Sequence, residues 1–325
     1  MMILSNAIAI LKKAKIKQAK QEVWDLLAVA LNKNKSEVIL THRPTDKIMS
    51  KKFDAYIKKR AGGFPFAYVV GYQPFLGQNY LVTKDTLIPR PATEDLVLAV
   101  EKYLSPVRNN FDSTRGNNYS SKHQINAKRD NISNGINIFD IGTGSGCMAI
   151  SLALRCPDKI KKITATDIST KALTPARKNS RQLLRQLSAY SCELADKKKA
   201  LLSTASNLTP NSRELENSKK VKIIFKKADL LKKIILPKNC LVLANLPYVN
   251  PHTKNSIGKC EPKSAIFCNY KNGLPIIYLK LFEQIKKQKY QPSAVFLEMP
   301  HACSARFQKL WRATLPLTPL FIISA

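Results

Sequence analysis

The spacing of apolar residues predicts a helical region at the N-terminus. In the segment KQEVWDLLAVAL, Val23, Leu26, Leu27 and Leu31 recur at near-helical spacing. A second helix, DKIMSKKFDAYIKKR, is predicted to end before a pair of glycines that suit a helix C-terminus. Aromatic and β-branched residues mixed with glycine in FAYVVGYQPFLGQNYLV then predict a short hairpin. The next segment, TLIPRPATEDLVLAVEKYL, predicts a proline-bracketed turn entering a helix, with Ala92 or Thr93 near its cap.

The second half of the chain alternates between strand and helix patterns. The predicted strands are INIFDIG, KITATDIS, VKIIFKKAD, CLVLANLP and SAVFLEMP, and helical stretches such as GCMAISLALR, TKALTPARKNSRQLLRQL and PIIYLKLFEQIKKQK separate several of them. Strands that alternate with helices predict an α/β fold with a parallel, doubly wound sheet. Such sheets bind ligands at the carboxyl ends of their strands, so the last residues of each strand are the candidate site.

Two segments interrupt this pattern and set the predicted domain boundaries. Residues 103–135 and 188–220 are rich in Asn, Ser and Lys, and they hold too little apolar surface to offset the entropy of ordering. We therefore predict disordered insertions there. The remaining chain divides into a helical domain (1–72), a hairpin with a linker helix (73–102) and the sheet domain (136–325).

Composition excludes several classes of protein. Hydrophobic residues make up 44% of the 325 residues, and no apolar run reaches the ~20 residues that span a bilayer. The seven cysteines form no CxxC pair and the four histidines show no ligand spacing, which argues against disulfides and metal sites. We expect a cytoplasmic monomer with no metal and no membrane partner. The N-terminus lacks the order of a secretory signal, whereas organellar targeting stays open.

The formal net charge of +32 has two explanations. It can attract nucleic acid, and so place the protein near the ribosome or another RNA. It can equally follow from a composition biased toward Lys, Asn and Ile, with solvated lysines wherever the surface tolerates them. The lysines are spread along the whole chain, which slightly favours the second explanation.

A glycine-rich loop follows the first predicted sheet strand. The stretch FDIGTGSG contains Asp140, Gly142, Thr143, Gly144 and Gly146 just before a helix. Closely spaced glycines let the backbone approach a ligand, although they also suit a plain tight turn. The spacing is GxGxG rather than the GxGxxG of dinucleotide sites. A carboxylate before the loop suits an ammonium group better than a pyrophosphate.

Acidic residues end the next two predicted strands. Asp167 is placed to accept hydrogen bonds from ribose hydroxyls, and Asp229 from an adenine amino group; Ile168 and Leu230 adjoin them. With Asp140 and the glycine loop, this ordered set resembles the S-adenosylmethionine site of class I methyltransferases. The resemblance implies S-adenosyl-L-methionine as the cofactor.

The fourth predicted strand ends with Asn245, Leu246, Pro247 and Tyr248. This strand ending resembles the (Asn/Asp)-Pro-Pro-Tyr motif, which class I methyltransferases that act on planar nitrogens carry at the end of the same strand. An amide nitrogen is a poor nucleophile, since its lone pair is delocalised. Carbonyl acceptors that hold both its N–H groups orient the nitrogen and stabilise the charge developing on it.

The motif supplies such acceptors. Asn245 would offer a side-chain carbonyl beside both cofactor and substrate, and Leu246 a main-chain carbonyl whose direction Pro247 restricts. Tyr248 would pack against the planar target group. No general base is needed, because the cationic nitrogen can lose its proton to water.

Further segments narrow the family. GFPFAYVVGYQPFLG, LIPRPATEDLV, DIGTGSG, ATDIS, NLPYV and CEPKSAIFCNYKNGL occur in the order found in the HemK-type glutamine N5-methyltransferases, which this chain resembles up to about Glu298 apart from the two insertions. The resemblance implies a Rossmann-like class I methyltransferase sheet preceded by a small helical domain that docks the substrate. It also implies methylation of the Gly-Gly-Gln glutamine in peptide chain release factors, or of a ribosomal-protein glutamine. Arg90 and Glu261 are candidate substrate-binding residues. Arg90 could anchor the substrate loop or pin the linker, and the linker role is favoured. Glu261 could order the loop beyond the motif or serve as a structural hydrogen-bond acceptor.

Three departures keep alternatives open. The family's Asn-Pro-Pro-Tyr motif is Asn-Leu-Pro-Tyr in this chain. This form also resembles the motif of the rRNA adenine dimethyltransferases. RNA or DNA adenine-N6 methylation is therefore the second hypothesis. Met299 and Pro300 stand where the family has an apolar residue and glycine. The final PLFIISA is short for a terminal β-hairpin, which predicts an exposed sheet edge. These changes motivate a third hypothesis, a degenerate homologue that binds a partner without turnover.

Overall fold

The protein is described here by a computed structural model that covers residues 2–105, 135–203, 221–252 and 260–324, with the backbone alone over 187–203. The other parts of the two predicted insertions lie outside the described residues. None of the described helices combines the length and the apolar character needed to cross a bilayer.

The N-terminal region is helical, as predicted. Its elements are β1 (Met2–Ile3), α1 (Leu4–Lys13), α2 (Ala19–Leu31), α3 (Lys35–Thr41), β2 (Lys47–Ile48), α4 (Lys51–Ala61) and α5 (Phe66–Val70). The helices share one apolar core, built on residues such as Leu11, Val23, Leu27, Phe53 and Ile57. The positions that recur at helical spacing in the sequence are thus the ones that the helices bury together.

The hairpin and the linker helix differ in detail from their predictions. The predicted hairpin is confirmed as β3 (Tyr72–Phe75) and β4 (Gln78–Leu81), but FAYVV before it forms helix α5. Helix α6 spans Pro91–Leu104, and its N-cap is Arg90 rather than Ala92 or Thr93. Proline fixes the first helical φ and holds the residue before it extended, so the helix begins at the proline.

The rest of the chain forms a six-stranded sheet between helices. In chain order the elements are β5 (Ile136–Ile141), α7 (Cys147–Arg155), β6 (Ile160–Asp167), α8 (Thr170–Ser203), β7 (Lys222–Lys227), β8 (Cys240–Asn245), α9 (Lys263–Ile266), β9 (Tyr270–Lys271), β10 (Leu274–Pro275), α10 (Ile276–Lys286), β11 (Ala294–Met299), α11 (His301–Thr314) and β12 (Leu320–Ser324). The sheet order is β12-β11-β8-β5-β6-β7, with every neighbouring pair parallel. This topology confirms the predicted Rossmann-like class I methyltransferase fold preceded by helices.

Successive side chains of the sheet strands enter two different cores. Ile138 and Leu241 pack with α6, α7 and α8 on one face, whereas Phe139 and Val242 pack with α10 and α11 on the other. Because both faces are covered, the strands read as continuous apolar runs. The predicted strand identities follow from that pattern and are confirmed.

Two helices extend past predicted boundaries. Helix α8 continues to Ser203, into the segment predicted to be disordered from residue 188, and α6 reaches Leu104 inside the other one. The continuation of α8 is rich in Ala, Leu and Lys, which favour helix. The sheet ends at β12, which pairs with β11 along its length and has no second neighbour among the described strands, so the expected exposed edge lies at β12.

Candidate active site

A cleft opens at the carboxyl ends of the central strands, beneath the proline-rich linker that precedes α6. Most of the residues predicted from the sequence line it: Gly142, Thr143, Gly144, Asp167, Ile168, Asp229, Leu230, Asn245, Leu246 and Pro247. Five predicted residues lie beside this lining rather than in it: Asp140, Gly146, Tyr248, Arg90 and Glu261. Because the carboxyl ends of parallel strands lie at one edge of the sheet, the glycine loop and the Asn-Leu-Pro-Tyr motif meet in one cleft.

The glycine loop depends on left-handed backbone conformations. Gly142, Gly144 and Gly146 have φ values of +75°, +54° and +81°. A Cβ added at Gly142 would lie 2.8 Å from Cδ2 of Leu246, whereas one at Gly144 would meet nothing within 4 Å. The glycine loop thus packs directly on the Asn-Leu-Pro-Tyr motif, with Gly142 at the point of contact.

Asp140 lies behind the glycine loop and is fully buried. Its Oδ2 accepts a hydrogen bond from the Thr143 hydroxyl at 2.6 Å, while no described residue donates to Oδ1. Burial raises the pKa of Asp140 to about 7, against the opposing effect of the Thr143 hydrogen bond. Because Asp140 lies behind the cleft lining, it would favour the ammonium end of S-adenosylmethionine through its negative charge, across the glycine loop.

Asp167 ties the glycine loop to the end of β6. It accepts hydrogen bonds from the backbone N–H groups of Gly144 at 3.0 Å and Ser169 at 2.8 Å. Burial raises its pKa from the ordinary range, while these backbone donors lower it. Next to it, the Ile168 side chain is 63% exposed, an apolar surface that a planar base can cover.

Asp229 has a partner that the sequence did not predict. Its Oδ2 pairs with the Lys280 ammonium of α10 at 2.5 Å, and both side chains are partly exposed. The two residues come together only because α10 packs beside the end of β7, so no local pattern indicates the pair. Asp229 keeps its place in the cleft lining as a candidate acceptor for an amino group.

The Asn-Leu-Pro-Tyr motif is held by hydrogen bonds at three of its residues. Asn245, the last residue of β8, donates from Nδ2 to the Thr93 hydroxyl oxygen at 2.8 Å. The Leu246 N–H donates to the Tyr278 hydroxyl at 3.1 Å, and that hydroxyl lies 3.0 Å from the Leu246 carbonyl oxygen. The Tyr248 carbonyl accepts from the Tyr270 hydroxyl at 2.5 Å. Leucine thus uses an N–H that proline, the family residue, lacks.

A buried carboxylate stands behind the motif. Glu298 of β11 is the register partner of Asn245 and is fully buried. Its two oxygens accept from the Thr93 hydroxyl at 2.7 Å and the Tyr248 hydroxyl at 3.3 Å. Burial raises the pKa of Glu298, and burial together with this carboxylate raises the pKa of Tyr248 to about 12. Neither Thr93 nor Glu298 was predicted as a site residue, although an acid within the apolar run AVFLEM was an available signal.

Arg90 and Glu261 pair with each other outside the cleft lining. The Arg90 guanidinium lies 2.6 Å from Oε2 of Glu261, and the Ile88 N–H donates to Oε1 at 3.0 Å. The side chain of Glu261 is 4% exposed and that of Arg90 is 38% exposed. These contacts join the proline-rich linker to the turn before α9, which supports a linker-pinning role over direct substrate contact.

Replacing Arg90 with methionine should lower the free energy of unfolding by about 1–2 kcal/mol, because the buried Glu261 carboxylate loses its counter-charge. The exposure of Arg90 keeps the cost below that of a fully buried pair. Arg155→Met is the matched control, since its partner Glu101 is 29% exposed rather than buried, and the pair should contribute under about 1 kcal/mol. Urea denaturation measures both, and equal losses would contradict the linker role.

Among the described residues, no three His, Cys, Asp or Glu side chains lie together as a metal site would require. The six described cysteine side chains are free thiols.

Comparison with known proteins gives one match to a family model and several to whole proteins. Residues 3–71 match the family model of the PrmC N-terminal domain. The chain is 33% identical over 181 residues to a release factor glutamine methyltransferase of Chlorobaculum tepidum, covering 55% of this chain and 53% of that protein. It is 34% identical over 169 residues to a bifunctional methyltransferase of Rickettsia bellii, covering 51% of this chain and 30% of that one. The resemblance to the HemK-type family is thereby confirmed, while the match spans about half the length of one relative and less of the other.

One solved structure with a similar course is a ribosomal protein L11 methylase from Lactobacillus delbrueckii subsp. bulgaricus. The identity is 15% and the TM-score 0.33, over 75% of this chain and 79% of that one.

Proposed function

We propose that this protein N5-methylates the glutamine in the Gly-Gly-Gln loop of a peptide chain release factor. The match of residues 3–71 to the PrmC N-terminal domain and the similarity to release factor glutamine methyltransferases support the proposal. The observation that carries the proposal is the fixed amide of Asn245. Its Nδ2 is held by Thr93, and no described residue donates to its Oδ1 in a cleft that also holds the glycine loop.

The residues of the cleft fit S-adenosylmethionine, which supplies a methyl group on a positively charged sulfonium when bound. Asp140 would favour its ammonium group across the glycine loop, and Asp167 would receive its ribose hydroxyls. Asp229 would accept from the adenine amino group, with Ile168 and Leu230 against the faces of the ring. The support for this set is the buried free oxygen of Asp140 and the exposed apolar side chain of Ile168.

The motif would hold the glutamine amide beside the methyl donor. Asn245 Oδ1 and the Leu246 carbonyl would each accept one N–H of the target, which fixes the direction of its nitrogen. Pro247 stiffens the backbone after Leu246, and the half-buried ring of Tyr248 would pack on the amide plane. The two acceptors also stabilise the positive charge that develops on the nitrogen, and water takes the proton afterwards.

We assign docking of the release factor to residues 1–72. Large apolar side chains are exposed on this domain, including Leu40 at 86% and Met49 at 76%, and Phe64 is partly exposed. Apolar side chains that no described part of the chain covers are available for a protein partner. We place the reaction in the cytoplasm, where translation termination takes place.

The basic surface supports RNA proximity more than an RNA substrate. Lys226, Lys227, Lys232 and Lys233 are exposed around Asp229, at the end of the cleft assigned to adenine. RNA bound there would lie near the cofactor's base and away from Asn245. Adenine-N6 methylation therefore remains the second candidate, favoured by the net charge of +32 and the Asn-Leu-Pro-Tyr form.

We expect methyl transfer from labelled S-adenosylmethionine to purified release factor, with the label on the peptide that contains Gly-Gly-Gln. A release factor with glutamine replaced by alanine in that loop is the matched control substrate, and total RNA is offered separately. Label in RNA alone would establish the adenine reaction and overturn the proposal. Donor binding without transfer to either substrate would favour the non-catalytic homologue.

A further inference from the structure

We propose that Thr93 and Glu298 are positioning residues that decide which end of the Asn245 side-chain amide faces the substrate. The inference rests on the proposed function, because it concerns how the same site receives an N–H donor. Its starting point is the hydrogen-bond chain from Asn245 Nδ2 through the Thr93 hydroxyl to the Glu298 carboxylate, with links of 2.8 and 2.7 Å.

The direction of this chain follows from the chemistry of its last member. An ionised carboxylate can only accept hydrogen bonds, so the single proton of the Thr93 hydroxyl points at Glu298. The Thr93 oxygen is then left as an acceptor, and only the NH₂ end of Asn245 can satisfy it. The carbonyl end of Asn245 therefore faces the cleft, where an acceptor for an amide N–H is required.

The surroundings make this arrangement rigid and costly. Thr93 is 3% exposed and Glu298 is fully buried, and the second Glu298 oxygen is taken by Tyr248. Burying a carboxylate is unfavourable unless its partners compensate, and the partners here are the Thr93 and Tyr248 hydroxyls, the Asn245 amide itself and the Arg90 charge. A helix cap does not explain the carboxylate, because the N-cap of α6 is Arg90. Control of the Asn245 amide does explain it.

Replacing Glu298 with glutamine removes the partner that can only accept and so permits the chain to reverse. The new NH₂ group can donate to the Thr93 oxygen, which frees the Thr93 proton to donate to Asn245 Oδ1. The Asn245 amide then turns, and its NH₂ end faces the N–H groups of the target. For Glu298→Gln we expect kcat to fall at least about tenfold, while donor affinity changes less than about threefold.

Acid should act in the same direction as this substitution. Burial raises the pKa of Glu298, and a protonated carboxyl can donate to Thr93 as glutamine does. The charged and titratable groups around Glu298 are Arg90 from the linker, Tyr248 after β8, Tyr278 on α10 and Cys147 on α7. Arg90 opposes the protonation, and the other three are neutral near pH 7 because burial raises their pKa values. Activity should therefore drop as the pH falls, and Glu298→Gln should flatten that drop.

The test combines kinetics with a readout that does not depend on turnover. Side-chain amide signals of ¹⁵N-asparagine-labelled protein are recorded, with Asn245→Ala identifying the Asn245 pair. In the wild type we expect that pair to be protected from solvent exchange, and Thr93→Val to abolish the protection. Thr93→Ser, which keeps the hydroxyl, should restore both the protection and kcat, and thermal denaturation confirms that each variant is folded.

Each result decides the matter. Protection lost in folded Thr93→Val and Glu298→Gln, with a lower kcat at similar KM, supports the positioning role. An unchanged Asn245 signal, or full kcat in Glu298→Gln, overturns it. If the wild type fails to methylate a release factor while the Asn245 signal still depends on Thr93 and Glu298, the positioning role stands and the proposed function fails.

Discussion

Replacing Asn245 with alanine should lower kcat for the release factor by about 10²- to 10³-fold, the range seen when one preorganised polar partner of a reacting group is removed. The substitution deletes the side-chain acceptor and leaves the glycine loop, Asp140 and Asp167 unchanged. Donor affinity measured by calorimetry should therefore change by less than about threefold. A lower kcat with nearly unchanged donor affinity distinguishes a residue that orients the target amide from one that only holds the cofactor.

Two companion variants sharpen this experiment. Asn79→Ala changes an exposed asparagine of the β3–β4 hairpin and should leave kcat at the wild-type value. Asn245→Asp keeps the acceptor but places a second carboxylate beside the buried Glu298, so it should also lose activity and gain it back at lower pH. Full activity in Asn245→Ala would exclude the proposed role of the motif.

The parts of the site that could be predicted from the sequence are those that follow from a single strand or loop. Asp140, Asp167, Asp229 and Asn245 each come at or next to the end of an apolar run, and parallel strands bring such ends to one edge. Gly142 belongs to the same class, because the glycine spacing itself indicates a tight loop. Their positions needed only strand periodicity and one topological rule.

The residues that were missed make contacts that no local pattern encodes. Thr93 and Glu298 are 205 positions apart, and Asp229 and Lys280 are 51 apart. Their pairing depends on how α6 and α10 pack on the sheet. Hydrophobic spacing predicts which face of each helix packs there, but not the exact position of the helix. Thr93 was interpreted as a cap because its residue type suits a helix start. Local helix propensity predicted the helix correctly, but it does not predict the hydrogen-bond partner of the Thr93 hydroxyl.

The ends of the helices and strands also differ in how well local sequence predicts them. Helix α8 passes Leu187 because intrinsic helix preference continues in the sequence after the apolar stripe ends. The low apolar content of that segment was taken to indicate disorder, since it offers little to a core. The pairing of β12 with β11 likewise depends on tertiary packing, because a short apolar run does not indicate which strand it will pair with.

Replacing Gly142 with alanine should damage both the cofactor loop and the catalytic motif. The new Cβ would sit at φ +75° and 2.8 Å from Leu246 Cδ2, so strain and overpacking combine. We expect a loss of about 2–4 kcal/mol in the free energy of unfolding, from left-handed strain and displaced core atoms. Leu246 can relieve the contact only by moving, which would shift the carbonyl assigned to the target amide. Donor affinity should fall at least tenfold, a change of about 1.4 kcal/mol or more.

Gly144→Ala is the matched control for this change. It carries a similar backbone strain at φ +54°, but its Cβ meets nothing within 4 Å. It should therefore lose only about 1–2 kcal/mol of stability. Calorimetry with S-adenosylmethionine and urea denaturation measure both variants, and kcat is compared at saturating donor. If Gly142→Ala and Gly144→Ala are equally impaired, the contact between the loop and Leu246 has no functional weight. A lower kcat at saturating donor in Gly142→Ala alone would show that the loop sets the geometry of the motif as well as holding the cofactor.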